Sequence, residues 1–219
     1  MIDVAAPSEA QYARRTQEQR SAETRAKLLN ATIDCLVEYG YSGTTTSRVA
    51  ERAGVTRGAQ LHHFGSRNDL VSAAVQHLAA RRTADAVEQV GALQASPDPV
   101  SALLELLWDL HNGPLFTASI ELLVAARTDP ELRIEVAKFE RVVNQTVAAM
   151  VAEYLPSGSE RAVREFVFTS MDALRGILFS AYIDADPGRT RRRWERASQA
   201  LRATIDPKLL TPAPAGDPS

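Results

Sequence analysis

The sequence predicts an all-α fold: an N-terminal three-helix domain of helix-turn-helix layout, joined to a larger C-terminal helical domain. Three observations carry that expectation. Apolar residues recur at i, i+3, i+4 and i+7 in nearly every segment, and no stretch alternates as a half-buried strand does. Glycine or proline closes these segments, and Ser, Thr or Asp opens them. The stretch GALQASPDPV, with two prolines, interrupts the helical pattern and divides the chain.

Within RAKLLNATIDCLVEYG, Leu29, Ile33 and Leu36 form one face of a first helix that Gly40 stops. Arg14, Arg15 and Arg20 precede it as an arm. TTTSRVAERAG gives a short second helix, capped by threonine, buried through Val49, Ala50 and Ala53, and ended by Gly54. Thr56 can cap a third short helix over RGAQLHHF. Ser66 and Asp69 read as a capping box opening a fourth helix from Arg67 to about Val90, the serine taking an amide and the carboxylate reaching back.

Beyond the proline break, VSALLELLWDLH and FTASIELLVAAR are helical and separated by Gly113 and Pro114. Asp129, Pro130 and Glu131 form a strong helix start: a cap, a proline where no amide is needed, and an acid in the positive first turn. A long apolar face follows Glu160, and a last helix carries Trp194, Ala197, Leu201 and Ile205 on one side. The expected organisation is a flexible arm over 1–20, a helix-turn-helix domain over 21–82, a ligand-binding and dimerisation domain over 83–206, and a disordered tail over 207–219.

Charge divides the same way. The formal net charge is −2, yet residues 11–82 hold 11 Lys and Arg against 6 Asp and Glu, while 83–219 hold 14 against 19. A basic head on an acidic body points to a module that meets a polyanion. An accidental surface distribution is the bland alternative. The single cysteine, Cys35, excludes an internal disulfide or a thiolate metal cluster within one chain, and reads as a small buried hydrophobe. The N-terminal residues lack a signal-peptide core, and no run reaches the ~20 apolar residues of a membrane span. A cytoplasmic protein without membrane contact is expected.

A helix-turn-helix needs a small residue where its helices cross, a glycine at the turn, and an apolar residue after it. Ala50, Gly54 and Val55 fill those places. Its second helix presents N-terminal residues to base edges in the major groove, here Thr56, Arg57, Gly58 and Ala59. Thr46, Ser47 and Arg48, preceded by Thr45, open the other helix where amides and hydroxyls grip phosphate.

Residues 24–70 resemble the DNA-binding domain of TetR-family transcriptional regulators, through the G-Y-x-G-T-T start of the second helix, the A-G-V-T-R-G turn and the H-H-F-x-S-R-x-x-L join. By matching position, the resemblance implies that Thr46, Arg57, His63 and Arg67 touch phosphates or bases, with Ser47 and Gly58 near base edges. Where the family commonly has leucine then tyrosine, this chain has Gln60 and Leu61. Gln60 either finds a partner inside the domain or turns toward DNA.

Adjacent His62 and His63 point about 100° apart on a helix, so phosphate contact or packing fits them better than a metal pair. No nucleophile motif, paired metal ligands or phosphate-cradling glycine loop occurs, so neither enzyme, metal nor cofactor is expected. In the body, Trp108, His111, Phe116, Glu121 and Phe139 are large or polar side chains on apolar helices, as are Met150, Met171, Arg175 and Phe179. Singly each reads as core. Together they suit a pocket for an apolar small-molecule effector. Arg189 to Arg193, GRTRRR, read as a salt-bridged face sooner than a second nucleic-acid patch.

The expected protein is a repressor that binds a palindromic double-stranded operator as a homodimer. Its last two helices would form the dimer surface, and its fourth helix would transmit effector binding to the head. The alternatives are an α-helical enzyme using the body pocket, and a dimeric adaptor that has lost DNA binding.

Overall fold

The computed structural model describes the backbone of residues 9–90, 96–154, 158–184 and 186–210, and the side chains of these except 9–16, 90, 151–154 and 187. Every regular element among them is a helix, and the chain divides into two units, Met1–His77 and Leu78–Ser219.

The first unit holds α1 (Glu9–Gly43), α2 (Thr46–Ala53), α3 (Arg57–His63) and the start of α4 (Arg67–Val90). Helix α1 begins at Glu9, so the stretch 9–20, expected as part of a flexible arm, is helical instead. No glycine or proline occurs between Glu9 and Tyr39, and Ala, Gln, Glu and Arg propagate a helix well. The break comes at Gly40, whose φ of 67° is left-handed. Leu29, Ile33 and Leu36 are all buried, and Leu28, Cys35, Val49, Phe64, Leu70 and Ala74 pack together as the core.

Helix α2 is capped by Thr45, whose Oγ1 accepts from the Arg48 amide at 3.3 Å. It ends at Gly54, with φ of 65°, where the Val55 amide returns to the Ala50 carbonyl at 3.0 Å. Helix α3 starts from Thr56, whose Oγ1 accepts from the Ala59 amide at 3.1 Å. Each cap contributes ~1 kcal/mol. At α4, Ser66 Oγ accepts from the Asp69 amide at 3.1 Å, but the Asp69 carboxylate accepts from the Ser66 hydroxyl at 2.8 Å. The reach back to an amide expected of a capping box is replaced by a bond to the hydroxyl proton, which is closer to hand.

The second unit holds the rest of α4, then α5 (Pro99–His111), α6 (Pro114–Ala126), α7 (Pro130–Tyr154), α8 (Glu160–Ala181), α9 (Pro187–Arg202) and a short 3-10 helix (Pro207–Leu210). Asp129 Oδ1 accepts from the amides of Glu131 and Leu132 at 3.1 and 3.0 Å, as its place before Pro130 predicts. Helix α8 packs on α5, α7 and α9, and buries Val163, Phe166, Val167, Met171, Leu174 and Leu178. Trp194 of α9 is fully buried against the same core. The 3-10 helix folds back on α5 and buries Leu210, so residues 207–210 are ordered helix rather than the start of a disordered tail. Residues 211–219 lie outside the described residues.

The apolar stripes of α8 and α9 therefore face the chain's own core. What α8 leaves exposed is at its C-terminal end: Phe179, Tyr182 and the following Ile183, the last 91% exposed. No helix among the described residues is long and apolar enough to cross a membrane.

Candidate nucleic-acid interface and body cavity

The N-terminal turn of α3 is open to solvent. Thr56, Arg57 and Gly58 are exposed and Ala59 is half-buried. Arg57 makes no hydrogen bond or ion pair among the described residues. A Cβ built on Gly58 would meet nothing nearer than Thr56 Oγ1 at 3.9 Å, so the fold does not demand glycine there. Glycine nevertheless costs a helix up to ~1 kcal/mol relative to alanine. At α2, Thr45, Ser47 and Arg48 are exposed and Thr46 is half-buried.

Several side chains expected to meet DNA are committed elsewhere. Gln60 is fully buried, and its Nε2 donates to the Phe64 carbonyl at 3.0 Å, closing the end of α3. This corrects its assignment as a DNA contact: a side chain without exposed atoms reaches no groove. Leu61 takes the outward position, 49% exposed. Arg67 is also turned inward. Its Nε donates to the Thr44 carbonyl at 2.9 Å, one terminal nitrogen donates to the Tyr41 carbonyl at 2.5 Å, and the guanidinium lies 4.2 Å from the Tyr41 ring centre. Among the described residues Arg67 braces α4 against the turn before α2, with Nε and one terminal nitrogen already engaged.

Arg48 donates to the Gly43 carbonyl at 2.8 Å and stacks 4.6 Å from the Tyr39 ring centre. Arg52 flanks the same ring at 5.9 Å while paired with Glu38. Composition pointed to none of this, because Tyr39 ends an ordinary helical face. The rings of His62 and His63 meet edge to face at 5.6 Å, and His63 reaches the Phe64 ring at 6.4 Å. His62 is exposed and His63 half-buried.

In the second unit α4, α5, α6, α7 and α8 enclose a cavity of about 340 Å³. Of the residues expected there, His111, Phe116 and Met171 line it. Glu121, Phe139, Met150 and Arg175 are not among the lining residues, and Arg175 lies instead 3.7 Å from Glu140. Trp108 packs beside the core under the Arg191 guanidinium, 5.0 Å from its ring centre, and Phe179 is 56% exposed, edge to face with Tyr182. Both are corrections: helical phase turns these two rings away from the cavity.

Arg82 is the lining residue that composition missed. It is 8% exposed, donates to Ser119 Oγ at 3.2 Å, and lies 5.7 Å from the Phe116 ring centre. Burial, then the nearby Arg175, pushes its pKa down to about 10, so it stays cationic near neutral pH. The signal was available, since Arg82 follows Val75 and Leu78 at i+7 and i+4 on an apolar stripe. Burial, and next Arg82, depresses His111 to about 3. That imidazole is neutral, with Nδ1 donating to the Leu107 carbonyl at 2.7 Å.

The arginine run on α9 is salt-bridged, as its acidic neighbours predict. Arg189 pairs with Asp184, Arg192 with Asp186, and Arg191 with both oxygens of Glu105 at 2.8 Å. Cys35 is fully buried, and burial raises its thiol pKa.

Residues 28–74 match the family of bacterial regulatory proteins, tetR family. An uncharacterized HTH-type transcriptional regulator of Mycobacterium tuberculosis is 37% identical over 119 residues, 54% of this chain and 61% of that relative. The HTH-type regulator CymR of Pseudomonas putida is 36% identical over 55% of this chain and 59% of its own length. The match thus spans about three fifths of these relatives. The transcriptional repressor AcnR of Corynebacterium efficiens is 29% identical over 65% of this chain and 71% of its own. Among solved structures, the multidrug binding protein EbrR in complex with imidazole is 25% identical, with a TM-score of 0.55 over 88% of this chain and 92% of that one. A putative TetR-family regulator of Mesorhizobium loti shares the fold, at a TM-score of 0.63 and 14% identity over 84% of this chain and 96% of that one. With the helix-turn-helix and the capped α3 described above, these matches identify residues 28–74 as the DNA-binding domain of the tetR family of bacterial regulatory proteins, and the helical body resembles that of TetR-family structures in fold.

Proposed function

We propose that this protein is a cytoplasmic, ligand-responsive transcriptional repressor that binds a palindromic operator as a homodimer. The observation that carries DNA recognition is the outer surface of α3: an uncommitted Arg57 beside a Gly58 that the fold does not require. A glycine there lets the helix backbone approach base edges, and the neighbouring guanidinium can bond a guanine bidentately. Thr45, Thr46, Ser47 and Thr56 supply hydroxyls at the two helix starts for phosphate, with His62 and His63 at the far end of α3.

One α3 reads only a few base pairs, so specificity calls for two copies, with half-sites about 34 to 36 Å apart or a multiple of that. Helices α8 and α9 are the proposed dimer surface, through the apolar side chains exposed at the end of α8, Phe179, Tyr182 and Ile183. The cavity in the second unit is the proposed effector site. EbrR, which is named for binding multiple drugs, and AcnR, which is named a repressor, support that reading. Helix α4 begins in the first unit and ends beside the cavity, so it is the element through which an effector would bias the head. Coupling of about 1 to 3 kcal/mol would change operator affinity some 5- to 150-fold.

The adaptor alternative loses its support, because Gln60 serves the domain's interior and leaves the Arg57 surface intact. Selection of bound sequences from random DNA, followed by gel shift at several salt concentrations, tests the reading. A palindromic consensus and a steep salt dependence are expected. Binding that shows no sequence preference would defeat it.

A further inference from the structure

The cavity of the second unit contains a buried charge that the chain does not neutralise. Arg82 is 8% exposed, and the one hydrogen bond it makes among the described residues goes to the neutral Ser119 hydroxyl. No carboxylate among the described residues lies within ion-pair distance of it, and Glu140, whose field reaches it, is paired with Arg175. A buried guanidinium normally has an anionic partner, because an unpaired charge out of water loses its hydration with nothing in exchange. His111, 2% exposed, also lines the cavity, and its Nε2 has no partner. With Nδ1 donating to the Leu107 carbonyl, that nitrogen is an acceptor that an ionised carboxylate cannot bond, which leaves Arg82 as the buried group suited to an anion.

Apolar walls surround these two groups. Leu107, Phe116, Val143, Val147 and Met171 line the cavity. Asp85 and Asp109 border it too, half-buried and exposed respectively, as does the exposed Arg81. The field of Asp85 reaches Arg82, as that of Glu140 does, but neither carboxylate is within ion-pair distance of the guanidinium. The buried charge is Arg82. The volume of about 340 Å³ lies at the small end of ligand pockets.

We propose that the cavity takes a small organic carboxylate, its anionic group on the Arg82 guanidinium and its apolar body against Phe116, Val143 and Met171. Arginine suits that task because its planar fork matches a carboxylate bidentately. The Ser119 hydroxyl and the Phe116 ring already hold the guanidinium in place. The inference rests on the reading of this cavity as an effector site, and narrows it to one ligand class.

The test is calorimetric titration of the whole protein with phenylalkanoates from phenylacetate to 6-phenylhexanoate, each beside its primary amide. At least one acid should bind about tenfold or more tighter than its amide, the usual scale for a hydrogen bond to a charged group. Arg82→Met should abolish that preference and Arg82→Lys keep part of it. Ligand-free Arg82→Met, with unchanged helical content, should melt no lower than the parent, because it removes an unpaired buried charge. Equal affinity for acid and amide, binding by no acid of the series, or a preference that survives in Arg82→Met would overturn the proposal. Gel shift with the same probes separates the two readings. An acid that binds through Arg82 and leaves DNA affinity unchanged keeps the anion site and removes the effector role. An amide that binds as well as its acid and releases DNA keeps the effector role and removes the anion site.

Discussion

Arg67, at the first position of α4, donates through Nε to the carbonyl of Thr44 at 2.9 Å and so fastens one helix to the turn that opens α2. A second bond to Tyr41 makes this brace bidentate. Arg67→Ala should therefore lower stability by ~1 to 3 kcal/mol in urea unfolding, since charge-assisted bonds to two carbonyls are lost. Operator affinity should fall with it, but the slope of affinity against salt should stay unchanged. A slope reduced by about one, with stability intact, would return Arg67 to the phosphate contacts.

Arg57 behaves in the opposite way. Because it is exposed and makes no bond among the described residues, Arg57→Ala should leave stability within ~0.5 kcal/mol of the parent. Operator binding should weaken by about 1 to 3 kcal/mol and preference should relax at one base position. Binding curves against single-base operator variants decide it; an equal loss on every sequence would make Arg57 a phosphate contact.

At Gly58 stability and binding should part company. Gly58→Ala adds a methyl that meets nothing closer than 3.9 Å and gains helix propensity, so the melting temperature should hold or rise. The same methyl stands on the surface proposed to enter the groove, and operator affinity should drop at least several-fold. An alanine variant that binds as tightly as the parent would show that the helix does not approach DNA there.

Gln60→Leu probes the residue that departs from the family pattern. Its Oε1 is buried without a partner, so leucine removes one unsatisfied atom and one bond to Phe64 together. The change in stability should stay within ~1 kcal/mol, and operator affinity should not move. A selective loss of DNA binding would mean that the side chain turns outward in the complex.

His111 makes stability depend on pH. Its folded pKa of about 3 is below the ordinary 6.5, so between those values the unfolded chain binds a proton that the folded one does not. Stability then falls as pH drops through that window, by at most ~1.4 kcal/mol per pH unit from this group, and its contribution is flat above pH 6.5. Arg82 and Arg175 are the charges near it. His111→Gln should flatten the acid limb of a stability profile measured by urea unfolding; an identical limb would assign the loss to other groups.

The helix ends were legible because their signals are local. Thr45, Thr56, Asp129 and Gly54 act on amides and carbonyls within a few residues, and each is found at the terminus its type predicts. The partners of long polar side chains were not. Whether Arg67 grips a phosphate or a carbonyl depends on how the α1–α2 turn packs over α4, and sequence spacing holds no trace of that. Residue type misled in both directions. Phe179 is apolar and exposed, while Arg82 is charged and buried, because position on the helical wheel outweighs character for a single residue. The arrangement of Thr56, Arg57 and Gly58 at the start of α3 was legible, for it follows from one turn and one cap.

Gly43 touches no proposed ligand, yet a Cβ there would lie 2.7 Å from the Cβ of Tyr39. Any larger residue must displace Tyr39, and with it the ring on which Arg48 and Arg52 rest. A loss-of-function screen would therefore recover substitutions at position 43 beside those at Arg57. The first class would be rescued by compensating changes at Tyr39, and the second would not.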